Sequence, residues 1–180
     1  MTVLSDIEIA LEDMISPFVD KKTGSPSYGV SSYGYDIRLG EEFIVYNNGR
    51  PHALDPCHPE ELIEDKDYIR KQADTYYRLP SKSFILAHSQ ETMTLPNNVV
   101  AMVKDKSTYA RLGVTVQNTV LEPGWSGQIT LEITNHNSRP VLLIVGRGIA
   151  QVMFWKGSNC LNPYRSDGKY QYQTGVVMPR

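Results

Sequence analysis

Long hydrophobic runs are missing from this 180-residue chain. The longest, Val99–Val103 and Val141–Val145, are five residues each, against the roughly 20 that cross a bilayer as a helix. The opening Met1-Thr2-Val3-Leu4-Ser5 has neither the basic flank nor the apolar stretch of a secretory leader, so the sequence predicts a cytoplasmic protein with no membrane partner. Cysteine is scarce too. Cys57 and Cys160 are the only two, far apart and outside any C-x-x-C pair, which argues against a disulfide framework and for free thiols. The four histidines, His52, His58, His88 and His136, never fall at i, i+4. The adjacent Cys57-His58 offers two ligands where a tetrahedral site needs four, so no protein-held zinc is expected. An excess of charge of either sign is also lacking. With 18 Lys and Arg against 20 Asp and Glu the net charge is −2, which gives no general attraction to a nucleic acid polymer. The expected partner is small, and any polyanion must be held by a local cluster.

What is present is a globular balance, 41% apolar and 21% charged, in a length that suits one domain over residues 1–180. Ser5 followed by Glu8 forms a capping box, and Ile7, Leu11, Met14 and Ile15 keep helical spacing up to Pro17, predicting an N-terminal helix over about 5–16. Ser25 to Gly34 reads as a shaped loop, and Asp36 to Tyr46 alternates well enough for a strand pair or one bent strand. Asn47 to Pro80 is polar and proline-punctuated, with a possible short helix at Glu60 to Ile63 and an acidic cluster of Glu60, Glu61, Glu64, Asp65 and Asp67; it reads as a surface excursion. The remainder is β-like: 83–88, 99–103, 113–117, 128–134, 141–145 and 149–155. Many short strands separated by Gly, Pro and Asn predict an all-β barrel or sandwich with minor helices.

Three places carry chemistry. Gln128-Ile129-Thr130-Leu131-Glu132-Ile133-Thr134 alternates strictly, so Glu132 lies on the face opposite Ile129, Leu131 and Ile133. That face is either solvent or a partly closed cavity, and in a cavity the carboxyl would be pushed towards the range useful for acid and base work. Lys104-Asp105-Lys106-Ser107-Thr108-Tyr109-Ala110-Arg111 crowds cations and hydroxyls after a strand, which suits phosphate or simply an exposed charged turn. No Walker-type loop or G-x-G-x-x-G sharpens that choice. The tail from Tyr164 to Gly175 mixes aromatics, amides and cations without a hydrophobic period. It is either a loose end or a flap over a nucleotide, with Lys169 meeting phosphate.

Five ordered motifs carry a resemblance that spans nearly the whole chain: Ser31-Ser32-Tyr33-Gly34-Tyr35-Asp36-Ile37-Arg38, Lys106 to Arg111, Glu122-Pro123-Gly124-Trp125-Ser126-Gly127 with Thr130-Leu131-Glu132, Gly148-Ile149-Ala150-Gln151, and Gly168-Lys169-Tyr170-Gln171 with Gln173-Thr174-Gly175. In that order they resemble the dCTP deaminases, within the wider superfamily of trimeric dUTPases. The resemblance implies a distorted, jelly-roll-like β-barrel of the dUTPase-like type, assembled as a homotrimer with each active site shared between subunits. It implies conversion of dCTP, or a closely related deoxycytidine nucleotide, to dUTP and ammonia without zinc, with magnesium bound through the triphosphate rather than by protein ligands. The H-x-E with P-C-x-x-C signature of zinc deaminases is absent.

Carried over by motif, Glu132 matches the catalytic glutamate, Ser107 and the main-chain carbonyl of Val120 match groups that position the attacking water, and Arg111 matches the arginine that orients the glutamate. Lys106, Ser107 and Thr108 match triphosphate contacts. Tyr164, Lys169 and Gln173 match a tail over about 163–180 that closes over sugar and phosphates. Glu122 takes the acidic position near the sugar 3′-hydroxyl, and Thr130 offers backbone hydrogen bonds to the base edge. Two departures stand out: Asp105 occupies a position where relatives commonly carry Gly, and the segment from Gln117 to Glu122 is short. Alternative readings are a bifunctional dCTP deaminase/dUTPase giving dUMP and pyrophosphate, and a non-catalytic nucleotide-binding regulator. A dUTPase alone fits less well, since Glu132 would have no evident purpose in cleaving a phosphoanhydride.

Overall fold

The computed structural model of the chain describes residues 1–47, 49 and 53–180; His52 and part of the polar excursion lie outside them. The chain opens with β1 (Thr2–Val3) and α1 (Asp6–Leu11). The capping box forms: Glu8 N donates to Ser5 Oγ, and Ser5 N donates to Glu8 Oε2 at 2.8 Å. The helix is shorter than the predicted 5–16, because the apolar residues that suggested its length divide between two environments. Ile7 and Leu11 are exposed while Ile9 is buried, and Asp13 at φ 49 turns the chain out of the helix. Met14 and Ile15 are buried beyond it, Ile15 in β2 (Ile15–Ser16).

Then follow β3 (Gly29–Ser31), β4 (Gly34–Arg38) and β5 (Glu42–Tyr46). The stretch 36–46 is not a paired hairpin: β4 joins β3 and β14 (Gly148–Lys156), whereas β5 joins other strands in the second sheet. The polar excursion holds a 3-10 turn at Pro59–Glu61 and also two strands that its composition concealed, β6 (Tyr68–Gln72) and β7 (Tyr76–Leu79). As the edge of its sheet, β6 is largely exposed, a place where Arg, Lys and Gln are tolerated and blunt further pairing. The remaining elements are β8 (Phe84–Thr94), β9 (Val99–Asp105), α2 (Ser107–Ala110), β10 (Val114–Gln117), β11 (Val120–Leu121), β12 (Ser126–Asn135) and β13 (Val141–Ile144).

Two six-stranded antiparallel sheets result. One runs β11-β9-β14-β4-β3 with β1 also on β14; the other runs β10-β12-β8-β5-β6 with β2 also on β8; β7 and β13 form a separate pair. Residues of both sheets, including Tyr35, Ile37, Phe43, Ile85, Leu131 and Phe154, build one buried core, the all-β arrangement that the strand pattern predicts, in the jelly-roll-like form that the resemblance implies. Among the described residues the strand path of each sheet is open at its ends.

The strand that carries Glu132, β12, is central in its sheet. Across β12, Glu132 is opposite Leu86 of β8 on one side and Gln117 of β10 on the other. A register shift between Gln128 and Thr130 marks a bulge, where Ile129 N donates to Ser89 Oγ at 2.8 Å, so the amide lost from the ladder is satisfied. Odd-numbered residues of β12 are buried and even-numbered ones half-buried. The second face is half-buried because the tail lies over this sheet: Val176 packs with Ile44 and Leu86, flanked by Tyr46, Tyr68 and Met178.

Candidate active site

The turn between β11 and β12 fixes the position of the tail. Gly124 adopts φ +84, and a Cβ there would lie 2.9 Å from Pro163 Cβ. At Gly127 a Cβ would meet the backbone of Gln173 at 3.0–3.1 Å, so glycine lets the tail run against the strand. There Gln128 N donates to Gln173 O at 2.9 Å. The Gln173 side chain is buried, with Nε2 donating to Gln128 O at 2.7 Å and to Thr130 Oγ1 at 3.3 Å. Gln171 completes the clasp: Ser126 N donates to its Oε1 and its Nε2 donates to Gly124 O. Trp125 Nε1 donates to Tyr170 O, and Tyr170 N donates to Tyr164 Oη. The tail is therefore a folded, seated segment.

Between tail, β12 and the 118–122 segment lies a cavity of about 730 Å³, large enough for a nucleotide-sized ligand. Seven residues singled out by sequence line it: Glu132, Thr130, Glu122, Val120, Tyr164, Lys169 and Gln173. Lys106, Ser107, Thr108 and Arg111 do not. Ser107, Thr108 and Arg111 are exposed on α2 and its C-terminal end, where Arg111 Nη1 donates to Ser107 O at 3.1 Å. Lys106 is buried, with Nζ donating to Asp36 Oδ2 at 2.6 Å and to Ser27 Oγ at 3.3 Å. Within this protomer its charge is committed to Asp36. The Thr130 carbonyl, expected to face a base edge, already accepts Asn118 Nδ2 at 2.7 Å. Asp105 is also engaged, its Oδ1 accepting Val116 N at 2.7 Å, which gives this carboxylate a local structural use.

Sequence reasoning passed over Asn118, Tyr46 and Phe84, which also line the cavity. Tyr46 and Phe84 come from β5 and β8, distant in sequence, and carry no motif. Asn118 sits in the short 117–122 segment, just after β10, where no motif marks its side chain.

Burial pushes the Glu132 carboxyl up to about 7, partly offset by a hydrogen bond from its own backbone. Its Oε2 is buried without a partner. Burial, and then the charge of Glu132, also raise the neighbouring Tyr46 phenol. Because the folded chain holds the Glu132 proton more tightly than the unfolded chain does, its contribution to stability falls as pH rises from about 4.5 to 7 and is constant above. The expected result is that Glu132→Gln, uncharged throughout, gains up to about 3 kcal/mol relative to the parent between pH 4.5 and pH 8. Urea unfolding of both proteins at the two pH values measures it; an equal difference at both would show that the carboxyl titrates normally.

Among the described residues no group of three or more His, Cys, Asp or Glu side chains is disposed to hold a metal ion, and no helix is long and apolar enough to cross a membrane. Cys57 and Cys160 are free thiols.

Comparison with known proteins places this geometry. Residues 6–157 match the family model described as dCTP deaminase-like. The dCTP deaminase of Campylobacter jejuni is 42% identical over 178 residues, covering 96% of this chain and 93% of its own. That of Herpetosiphon aurantiacus is 40% identical over 171 residues, covering 93% and 90%. Among solved structures, the 2′-deoxycytidine 5′-triphosphate deaminase from Agrobacterium tumefaciens superposes with a TM-score of 0.65 at 19% identity, over 89% of this chain and 50% of that longer one. The structural likeness gives a shared fold.

Proposed function

This chain belongs to the dCTP deaminase-like family, and on that premise we propose that it hydrolyses the 4-amino group of dCTP to give dUTP and ammonia, with Glu132 as the proton-transfer group. The observation that carries the reading is the Glu132 carboxyl: central on β12, facing a nucleotide-sized cavity, one oxygen buried and unpartnered, and held near neutrality by burial. A carboxyl with that affinity for a proton is present in both forms at pH 7 and can accept and return protons within one cycle.

In the proposed sequence, the Glu132 carboxylate takes a proton from water as the water oxygen bonds to cytosine C4, and that proton passes to N3. The resulting tetrahedral carbon expels the amine, which takes a second proton, from the new hydroxyl by way of Glu132, and leaves as ammonia while the C4–O bond becomes a carbonyl. Atoms balance as dCTP plus water giving dUTP plus ammonia. The Val120 carbonyl is assigned to water positioning, supported by its place on the cavity wall. Glu122 is assigned to the sugar and Lys169 to the phosphates, both exposed at the rim. Magnesium would enter on the triphosphate oxygens as part of the substrate, a mode that suits its reluctance to shed water.

Ser107, Thr108 and Arg111 are assigned to the same reaction from a neighbouring subunit of a homotrimer. Their exposure, and their absence from the cavity lining of their own chain, support that assembly. So do Val120 and Met102, paired across β11 and β9 and both apolar and exposed beside the cavity. The functional test is ammonia release over dCTP, dCMP and CTP with magnesium, with products separated chromatographically. The expected result is ammonia and dUTP in equal amounts from dCTP. Appearance of dUMP and pyrophosphate would show the bifunctional activity, and no ammonia from any of the three would refute the reading.

A further inference from the structure

Among the described residues, four buried side-chain atoms lack a hydrogen-bond partner: Arg38 Nη2, His88 Nε2, Asn118 Oδ1 and Glu132 Oε2. Two of these, Asn118 Oδ1 and Glu132 Oε2, belong to residues lining the same cavity. Orphaned buried oxygens are rare in native proteins and costly to maintain, so two beside one cavity point to donors from outside this chain: the Arg111 assigned to a neighbouring subunit for Glu132, and a ligand for Asn118. The orientation of the Asn118 amide is set by its surroundings. Its Nδ2 faces the Thr130 carbonyl at 2.7 Å, and a carbonyl can only accept, so the oxygen is the atom left over. Asn118 also follows directly on Gln117, the last residue of β10, which is opposite Glu132 on β12, so the two side chains come from neighbouring stretches of the cavity wall.

We propose, resting on the reading of this cavity as a dCTP-deaminating site, that Asn118 is a specificity-determining residue whose Oδ1 accepts an N–H of the cytosine 4-amino group and repels the 4-keto oxygen of uracil. The 4-amino group carries two N–H donors, and uracil presents only lone pairs at the same place. Glu132 cannot make the distinction, because its carboxyl offers an acceptor when ionised and a donor when protonated. Asn118 Oδ1 accepts in every state. The reaction turns the recognised donor into an acceptor, so the same contact that binds substrate becomes a repulsion that favours release of product. A site built to receive a donor discriminates more strongly than a shape-matched apolar one.

The test is equilibrium binding of dCTP and dUTP, each with magnesium, to Glu132→Gln with and without Asn118→Ala. The common background stops turnover and cancels the contribution of position 132. The expected result is that Asn118→Ala weakens dCTP roughly tenfold, the worth of one hydrogen bond, and leaves dUTP unchanged or tighter. Equal weakening of both would assign Oδ1 to the sugar or to a water and overturn the proposal, as would no change in either. Should Asn118→Ala unfold the chain, Glu132→Gln decides alone: dCTP must bind at least about tenfold more tightly than dUTP, and equal affinities overturn the proposal. If Glu132→Gln binds neither nucleotide while the parent does, position 132 rather than Asn118 holds the base and the proposal is overturned; if the parent also binds neither, the nucleotide-site reading itself fails and this assignment falls with it.

Discussion

Glu132→Gln is expected to lower ammonia release from dCTP by at least about 10²-fold, the scale of a lost general acid/base, while changing dCTP affinity by only a few-fold. Gln keeps the shape of the side chain and can still fill the space opposite Leu86 and Gln117, but it can neither accept a proton from water nor deliver one to the leaving amine. Single-turnover ammonia release, read beside calorimetric binding, separates the two effects. Loss of binding together with activity would mean that Glu132 holds substrate rather than moving protons. Full activity would remove Glu132 from the chemistry altogether.

Lys106→Met should unfold the chain more easily even with no nucleotide present. Asp36 is 2% exposed and Lys106 7%, so removing the ammonium leaves a carboxylate stranded in the interior, a loss of about 3 kcal/mol. For a chain of this length that lowers the unfolding temperature by roughly 6–12 °C. The second partner of Asp36, Lys22 at 2.9 Å, is half-exposed and softens the loss only in part. Adding Asp36→Asn to Lys106→Met should restore most of the stability, because no buried charge then remains. If instead Lys106→Met melts like the parent and only the KM for dCTP rises, the lysine serves phosphate and the Asp36 pair is incidental.

These two residues show what the sequence could and could not reveal. The strict alternation around Glu132 marked its strand and its face, because a period of two is a local property. Whether that face met solvent or a cavity depended on a tail forty residues later, whose Gln171 and Gln173 form hydrogen bonds with the 124–130 segment; no local pattern encodes such a return. Lys106 and Asp36 both stand within motifs of the family resemblance, which implies a phosphate contact for the lysine, yet their pairing joins positions seventy residues apart and no local pattern announces it. The N-terminal helix was overextended for a related reason. Met14 and Ile15 are apolar because they are buried, Ile15 opposite Met93 on β8, and their spacing mimicked a helical face. The strands β6 and β7 were hidden by their polar exposed positions. Asn118, in turn, is conspicuous only once its unpartnered oxygen is seen beside that of Glu132.

The most direct test of the whole account is the pH dependence of kcat/KM for ammonia release from dCTP between pH 5 and 9, with magnesium saturating the triphosphate so that its own ionisation does not intrude. Because the ionised Glu132 must accept the first proton, the account predicts an acid limb of unit slope whose midpoint is raised above that of an exposed glutamate by burial, and moderated by the Arg111 assigned to the site from the neighbouring subunit. A rate that is flat from pH 5 upwards, as for an exposed glutamate titrating at roughly 4.3, would contradict it.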